Sequence, residues 1–281
     1  MKHQEGFFEG VNGRRLYHQS WLPDGEVRAA LLVVHGLAEH GGRYMNLVDR
    51  FVPQGYALYA IDHVGHGRSE GQRLYVERFA DYVTPLQSLL GVIRAGQPGR
   101  PVFLVGHSMG GLIGALYLLT HQEELAGAVL SGPAIQAPGN VPPAVIFVGR
   151  LLATLLPRMG LVPLDAEGIS RDPAVLAAYL ADPLVYKGKI TARLGAEMLD
   201  AMAAVRRNAG QIRLPLLIVQ GAADRLVDPA GAKRLHEAAT STDKRLIVYE
   251  GLYHEVFNEP EHDRVLADVE TWLEAHLDRR G

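Results

Sequence analysis

The chain has no cysteine among its 281 residues, which excludes disulfides, thiolate metal sites and a cysteine nucleophile in one observation. Charge is modest as well. Lys, Arg, Asp and Glu make up 21% of the residues and the formal net charge is −3, so there is no basic stripe and no electrostatic reason to expect nucleic acid as a partner. The opening residues, Met-Lys-His-Gln-Glu-Gly-Phe-Phe-Glu-Gly, hold no apolar h-region and no small-residue cleavage site, so a cytoplasmic location is expected. No internal repeat and no low-complexity segment stands out. What the chain does have is apolar material, 48% of its residues, enough for one large domain or one domain with an insertion.

The most informative stretch is 102–119, Val-Phe-Leu-Val-Gly-His-Ser-Met-Gly-Gly-Leu-Ile-Gly-Ala-Leu-Tyr-Leu-Leu. An apolar run enters Gly106-His107-Ser108-Met109-Gly110, and a helix-period run without proline follows. A serine at such a strand-to-helix turn is held in strained backbone geometry that lifts its hydroxyl clear of the sheet. Ser108 is therefore the candidate nucleophile. A second match to the same pattern, Gly67-Arg68-Ser69-Glu70-Gly71, has neither the strand before it nor the helix after it, and Ser69 reads as a loop serine.

Along the chain, Asn12-Gly13 signals a two-residue hairpin between edge strands at 7–9 and 15–21. Continuous apolar runs at 29–34, 56–61, 102–105, 127–130 and 214–219, with another strand at 245–249, read as strands of a mostly parallel sheet. Helices are predicted at 44–52, 78–95 (broken or kinked near Pro85), from Ser108 onward, at 229–239 and at 262–277. This alternation predicts an α/β fold with helices on both faces of the sheet. From 134 to 210 no strand-like run occurs and helical signals cluster: Asp172-Pro173 and Asp182-Pro183 each read as a helix cap followed by proline, and Thr191 caps a helix running to Asn208. The expected organisation is a core of 1–133 and 211–281 with a helical cap inserted at 134–210.

Serine needs a base to take its proton, and the base needs an acceptor to fix its tautomer. In this architecture the acid and the histidine follow the serine at the carboxyl ends of later strands. The loop after the strand at 214–219 offers Asp224 and Asp228; Asp228 precedes the proline that opens a helix and reads as its N-cap, leaving Asp224 as the acid. The next strand ends in Glu250-Gly251-Leu252-Tyr253-His254-Glu255, which nominates His254 as the base. The backbone N–H of Met109 and that of Leu37, in the loop after 29–34, are the expected oxyanion donors. His35, His40, His63 and His66 could converge on a metal, but they lack a dedicated ligand spacing and a complete triad needs none, so neither metal nor cofactor is expected.

The blocks His35-Gly36-Leu37-Ala38-Glu39-His40 with Gly42-Arg43-Tyr44, Asp62-His63-Val64-Gly65-His66-Gly67-Arg68-Ser69, Gly106-His107-Ser108-Met109-Gly110-Gly111, Ala223-Asp224-Arg225-Leu226 and Tyr253-His254 together resemble the monoglyceride lipases of the α/β-hydrolase superfamily. The likeness covers nearly the whole chain. It implies hydrolysis of monoacylglycerol to fatty acid and glycerol, with Ser108, Asp224 and His254 as triad and Leu37 and Met109 at the oxyanion positions. It further implies that Tyr179, in Tyr179-Leu180-Ala181-Asp182-Pro183-Leu184, contacts the glycerol head group, and that Glu39 and Arg43 stand at the polar end of the site. A structural ion pair is the equally weighted alternative for those two. The chain departs from mammalian members at Leu37-Ala38, where they carry small residues, and at Phe257, where they carry a second histidine.

Within the insertion, 141–156 is the most apolar stretch; it is too short to span a membrane and carries Arg150. It either covers the pocket or faces outward to dock on a lipid interface. A broader carboxylesterase or lysophospholipase would use the same triad, and a binding module on an inactive fold is the alternative outside enzymes.

Overall fold

The computed structural model describes residues 1–137, 139 and 142–277, so Val141, at the head of the apolar stretch, and the last four residues lie outside the described residues. β1 (Lys2–Glu9) and β2 (Arg15–Leu22) pair antiparallel from Lys2 opposite Leu22 to Glu9 opposite Arg15. Their connection is longer than the two-residue turn that Asn12-Gly13 predicts. Residues 10–14 intervene, closed by the Gly10 N–H on the Arg14 carbonyl at 2.7 Å, with Asn12 and Gly13 both at positive φ inside.

The parallel part of the sheet is built from β3 (Ala29–Val34), β4 (Tyr56–Ile61), β5 (Val102–His107), β6 (Gly127–Ser131), β9 (Leu216–Gly221) and β10 (Lys244–Tyr249). The strand order is β1-β2-β4-β3-β5-β6-β9-β10. β3 shows why these runs are apolar without a break: Leu31 and Val33 enter one packed layer, Ala30, Leu32 and Val34 the other, and all are buried. Each such side chain is worth roughly 1.5 to 3 kcal/mol when fully buried.

One layer lies under α1 (Met45–Phe51) and α8 (His262–Glu274). The other lies under α2 (Ala80–Gly96), α3 (Met109–His121) and α7 (Pro229–Ala238). Pro85 does not break α2, which runs through it as one helix.

Between β6 and β9 the chain leaves the sheet. It forms α4 (Pro143–Leu155), α5 (Pro173–Ala181) and α6 (Ala192–Asn208), the last capped by the Thr191 hydroxyl on the Leu194 N–H. Two expectations for this segment are corrected. It contains a short antiparallel ribbon, β7 (Gly160–Pro163) with β8 (Lys189–Thr191), where no strand was predicted. Asp182 does not open a helix; it ends α5, and its carboxylate accepts the Leu184 N–H at 2.7 Å in a turn. Among the described residues no helix is long and apolar enough to cross a membrane.

Candidate active site

Ser108 stands between β5 and α3 with φ 54 and ψ −118, a conformation that L-residues rarely adopt and that costs of order 1 to 3 kcal/mol. Its surroundings hold it there: its N–H donates to the Ser131 carbonyl at 2.9 Å, and its own carbonyl accepts from Ala134 at 3.0 Å and Leu112 at 3.1 Å. α3 can start this close to the sheet because Gly110 has no side chain; a Cβ there would lie 1.9 Å from the Val34 carbonyl oxygen.

β9 and β10 are parallel neighbours, so the loops at their carboxyl ends emerge side by side. His254 Nδ1 meets Asp224 Oδ2 at 2.7 Å, and both residues are buried. The other Asp224 contacts leave it little freedom: Oδ1 accepts from Leu226 at 2.8 Å and Val227 at 3.1 Å, and Gln220 donates to Oδ2 at 3.0 Å. Burial alone would raise the Asp224 carboxyl, but the charge and hydrogen bond of His254 and the two N–H donors outweigh it and hold the group below its ordinary value. Asp228 lies elsewhere, capping α7 through the Ala230 N–H at 2.9 Å.

His107 packs its ring 4.7 Å from that of His254 and bonds through Nδ1 to the Ser131 carbonyl at 3.1 Å. Burial pushes it down to about 4, with the neighbouring His254 adding to the shift, so it is neutral at physiological pH.

Leu37 lies in the turn after β3 and Met109 is the first residue of α3, so its N–H has no intrahelical acceptor. Among the described residues neither N–H donates to another protein group. Glu39, by contrast, is fully engaged. Its Oε1 accepts from the Gly36 N–H at 2.6 Å and the Tyr44 hydroxyl at 2.8 Å, and its Oε2 takes Arg43 at 2.6 Å. Arg43 also makes a two-pronged pair with Glu255 and lies 4.7 Å over the ring of Tyr179. Glu39 and Arg43 therefore form an ion pair, and both also line the cavity that holds Ser108. Glu255, the residue after His254, is the member of this network that sequence reasoning did not single out; a carboxylate beside the candidate base was the available signal.

Ser108, His254, Leu37 and Tyr179 line one cavity of about 970 Å³, which extends between α4 and α6 over apolar side chains such as Ile146, Leu152 and Met198. The hydroxyl of Tyr179 has no protein partner among the described residues, and burial, with Glu39 nearby, pushes it up to about 12. The four histidines of the metal alternative do not come together as one set. His35, His63 and His66 cluster, but His35 spends both ring nitrogens on the Gly36 carbonyl and the His63 N–H, and His40 faces Asp182 instead. Ser69 bonds the Asp62 carbonyl and the Tyr17 N–H inside its loop.

A mostly parallel sheet with a serine at the strand-to-helix elbow and an Asp–His pair after its last strands defines an α/β-hydrolase. Residues 25–261 match the Hydrolase_4 family model, described as serine aminopeptidase, S33. Over 273 residues the chain is 41% identical to the monoacylglycerol lipase of Mycolicibacterium smegmatis, covering 97% of this chain and 98% of that protein. It is 36% identical to the human monoglyceride lipase, over 94% of this chain and 88% of that one. The crystal structure of the Paleococcus ferrophilus monoacylglycerol lipase superposes with a TM-score of 0.84 at 32% identity, over 93% of this chain and 99% of the other. The chain belongs to the monoglyceride lipase family.

Proposed function

We propose that this enzyme hydrolyses monoacylglycerols through an acyl-enzyme on Ser108. The observation that carries the reading is the buried Asp224–His254 bond beside an apolar cavity that His254 and the strained Ser108 both line. His254 takes the Ser108 proton as Oγ attacks the ester carbonyl, and the Leu37 and Met109 N–H groups receive the oxyanion. Collapse breaks the ester C–O bond, and the proton on His254 goes to the departing glycerol oxygen. A water then repeats the sequence and frees the fatty acid. Residues 134–210 act as a cap whose inner face holds one acyl chain, while Tyr179 offers its free hydroxyl to the glycerol.

A triacylglycerol would bring two further chains with no cavity to enter. Turnover of long-chain monoacylglycerols should thus exceed that of matched triacylglycerols, and Ser108→Ala should abolish both. Tyr179→Phe should weaken monoacylglycerol turnover by about two- to tenfold and spare a p-nitrophenyl ester, which has no glycerol to contact. Preference for triacylglycerol at equal chain length rejects the reading.

The cap also supports contact with lipid interfaces. Phe147, Leu151 and Leu155 recur every fourth residue on α4, are exposed, and do not line the cavity.

A further inference from the structure

The turn that carries Leu37 contains a residue in a conformation unusual for its type. Ala38 has φ 66, in the left-handed region that disfavours an L side chain, and it is buried. A residue other than glycine persists there where its surroundings over-determine it. Glu39 closes the turn from within by accepting the Gly36 N–H at 2.6 Å. Further restraints come from the cap. The Tyr186 N–H donates to the Ala38 carbonyl at 2.9 Å. Asp182, just after α5, takes His40 Nε2 on Oδ2 at 2.8 Å, while its Oδ1 accepts the Leu184 N–H and folds the chain so that Tyr186 reaches Ala38. His40 Nδ1 accepts the Gly42 N–H at 3.1 Å, which leaves Nε2 as the protonated nitrogen and makes Asp182 the acceptor.

We propose that Asp182 and His40 are positioning residues for the reaction: their bond, with the turn that Asp182 builds, holds Ala38 left-handed and so aims the Leu37 N–H at the developing oxyanion. This rests on the reading of Leu37 as an oxyanion donor. If Ala38 relaxes to the right-handed region, the turn over residues 36–39 opens and the donor swings away. The acyl chain still enters the same cavity, so the loss falls on the transition state and not on substrate binding.

The test uses the full-length enzyme, a long-chain monoacylglycerol and an alkylboronic acid as a tetrahedral probe. Asp182→Ala removes both side-chain bonds, and His40→Phe removes the shared one from the other side while keeping a ring. In each variant that melts cooperatively, kcat should fall by about tenfold or more with KM within about twofold, and boronic acid affinity should fall in parallel. Adding Ala38→Gly should recover most of the loss, because glycine occupies positive φ without external restraint. Unchanged kcat in both variants, a loss confined to KM, or a loss deepened by Ala38→Gly overturns the proposal. Should Asp182→Ala not fold, His40→Phe alone decides. Activity that survives Ser108→Ala would instead reject the reading beneath it, whereas Ser108-dependent turnover left intact by both variants rejects only the positioning role.

Discussion

Arg43 and Glu255 lie 212 residues apart in the chain and meet as a two-pronged pair, Nη1 to Oε1 at 2.7 Å and Nη2 to Oε2 at 2.8 Å. Because Arg43 also holds Glu39, one guanidinium ties the loop after β3 to the loop after β10, and these loops carry Leu37 and His254. Burial would by itself weaken the ionised forms, but mutual attraction wins: Glu255 is brought down to about 2 and Arg43 is raised above its ordinary range. Breaking such a buried pair from one side leaves the other charge unpaired. Arg43→Met should therefore destabilise the fold by about 3 to 5 kcal/mol, more than Glu255→Gln, which still leaves Glu39 on the arginine. Urea unfolding of both variants checks this, and a midpoint unmoved by Arg43→Met would refute it.

Stability should fall steeply on acidification, and from a higher pH than carboxylates alone would dictate. His63, His66 and His107 are buried and neutral, with desolvation pushing them down to about 3, about 4 and about 4, and His35 is lowered in the same sense. A group with a depressed folded pKa binds its proton more readily in the unfolded chain. The stability it contributes is complete above the unfolded value near 6.5 and is lost as pH falls towards the folded value. By pH 5 each of the three should cost about 2 kcal/mol. Glu255 acts with the same sign but lower, its contribution present above about 4.5 and lost towards about 2. Denaturant unfolding at pH 7 and pH 5 measures the difference, and a total loss below about 2 kcal/mol would contradict the neutral burial of these rings.

The two candidate acids separate cleanly in the structure, one on the His254 ring and one on a helix N-terminus. Asp224→Asn should cut turnover by about 10⁴, because the imidazole would then be held in the wrong tautomer. Asp228→Asn should cost little, since asparagine caps about as well as aspartate. Comparable kcat losses from the two in folded protein would defeat the assignment of Asp224.

What was legible in the sequence followed from local physics. Strands buried on both faces announce themselves as unbroken apolar runs, which is why β3 and β4 match their predicted bounds, and the elbow needs glycine at positions that only a strand-to-helix approach explains. β7 and β8 were missed because they are short, partly exposed and show no period of two. Asp182 misled because an aspartate that accepts an N–H two residues on looks the same in sequence whether a helix or a turn follows. A carboxylate beside His254 was visible in the sequence, but its pairing with Arg43 was not, since the two meet only once the sheet has brought distant loops together.

The outward stripe of α4 yields the last prediction. Phe147 is 70% exposed, Leu151 49% and Leu155 65%, whereas Ile146 and Leu152 of the same helix line the cavity. A helix apolar on two faces cannot satisfy both against protein, and the outer face would gain from a lipid surface at roughly 25 cal/mol per Å² buried. Phe147→Ser with Leu151→Ser should therefore lower the fraction of protein that floats with phosphatidylcholine vesicles by about tenfold or more. Hydrolysis of a soluble p-nitrophenyl ester should stay within about twofold, because neither residue touches the cavity. Flotation equal to that of the parent protein would show that α4 merely covers the pocket.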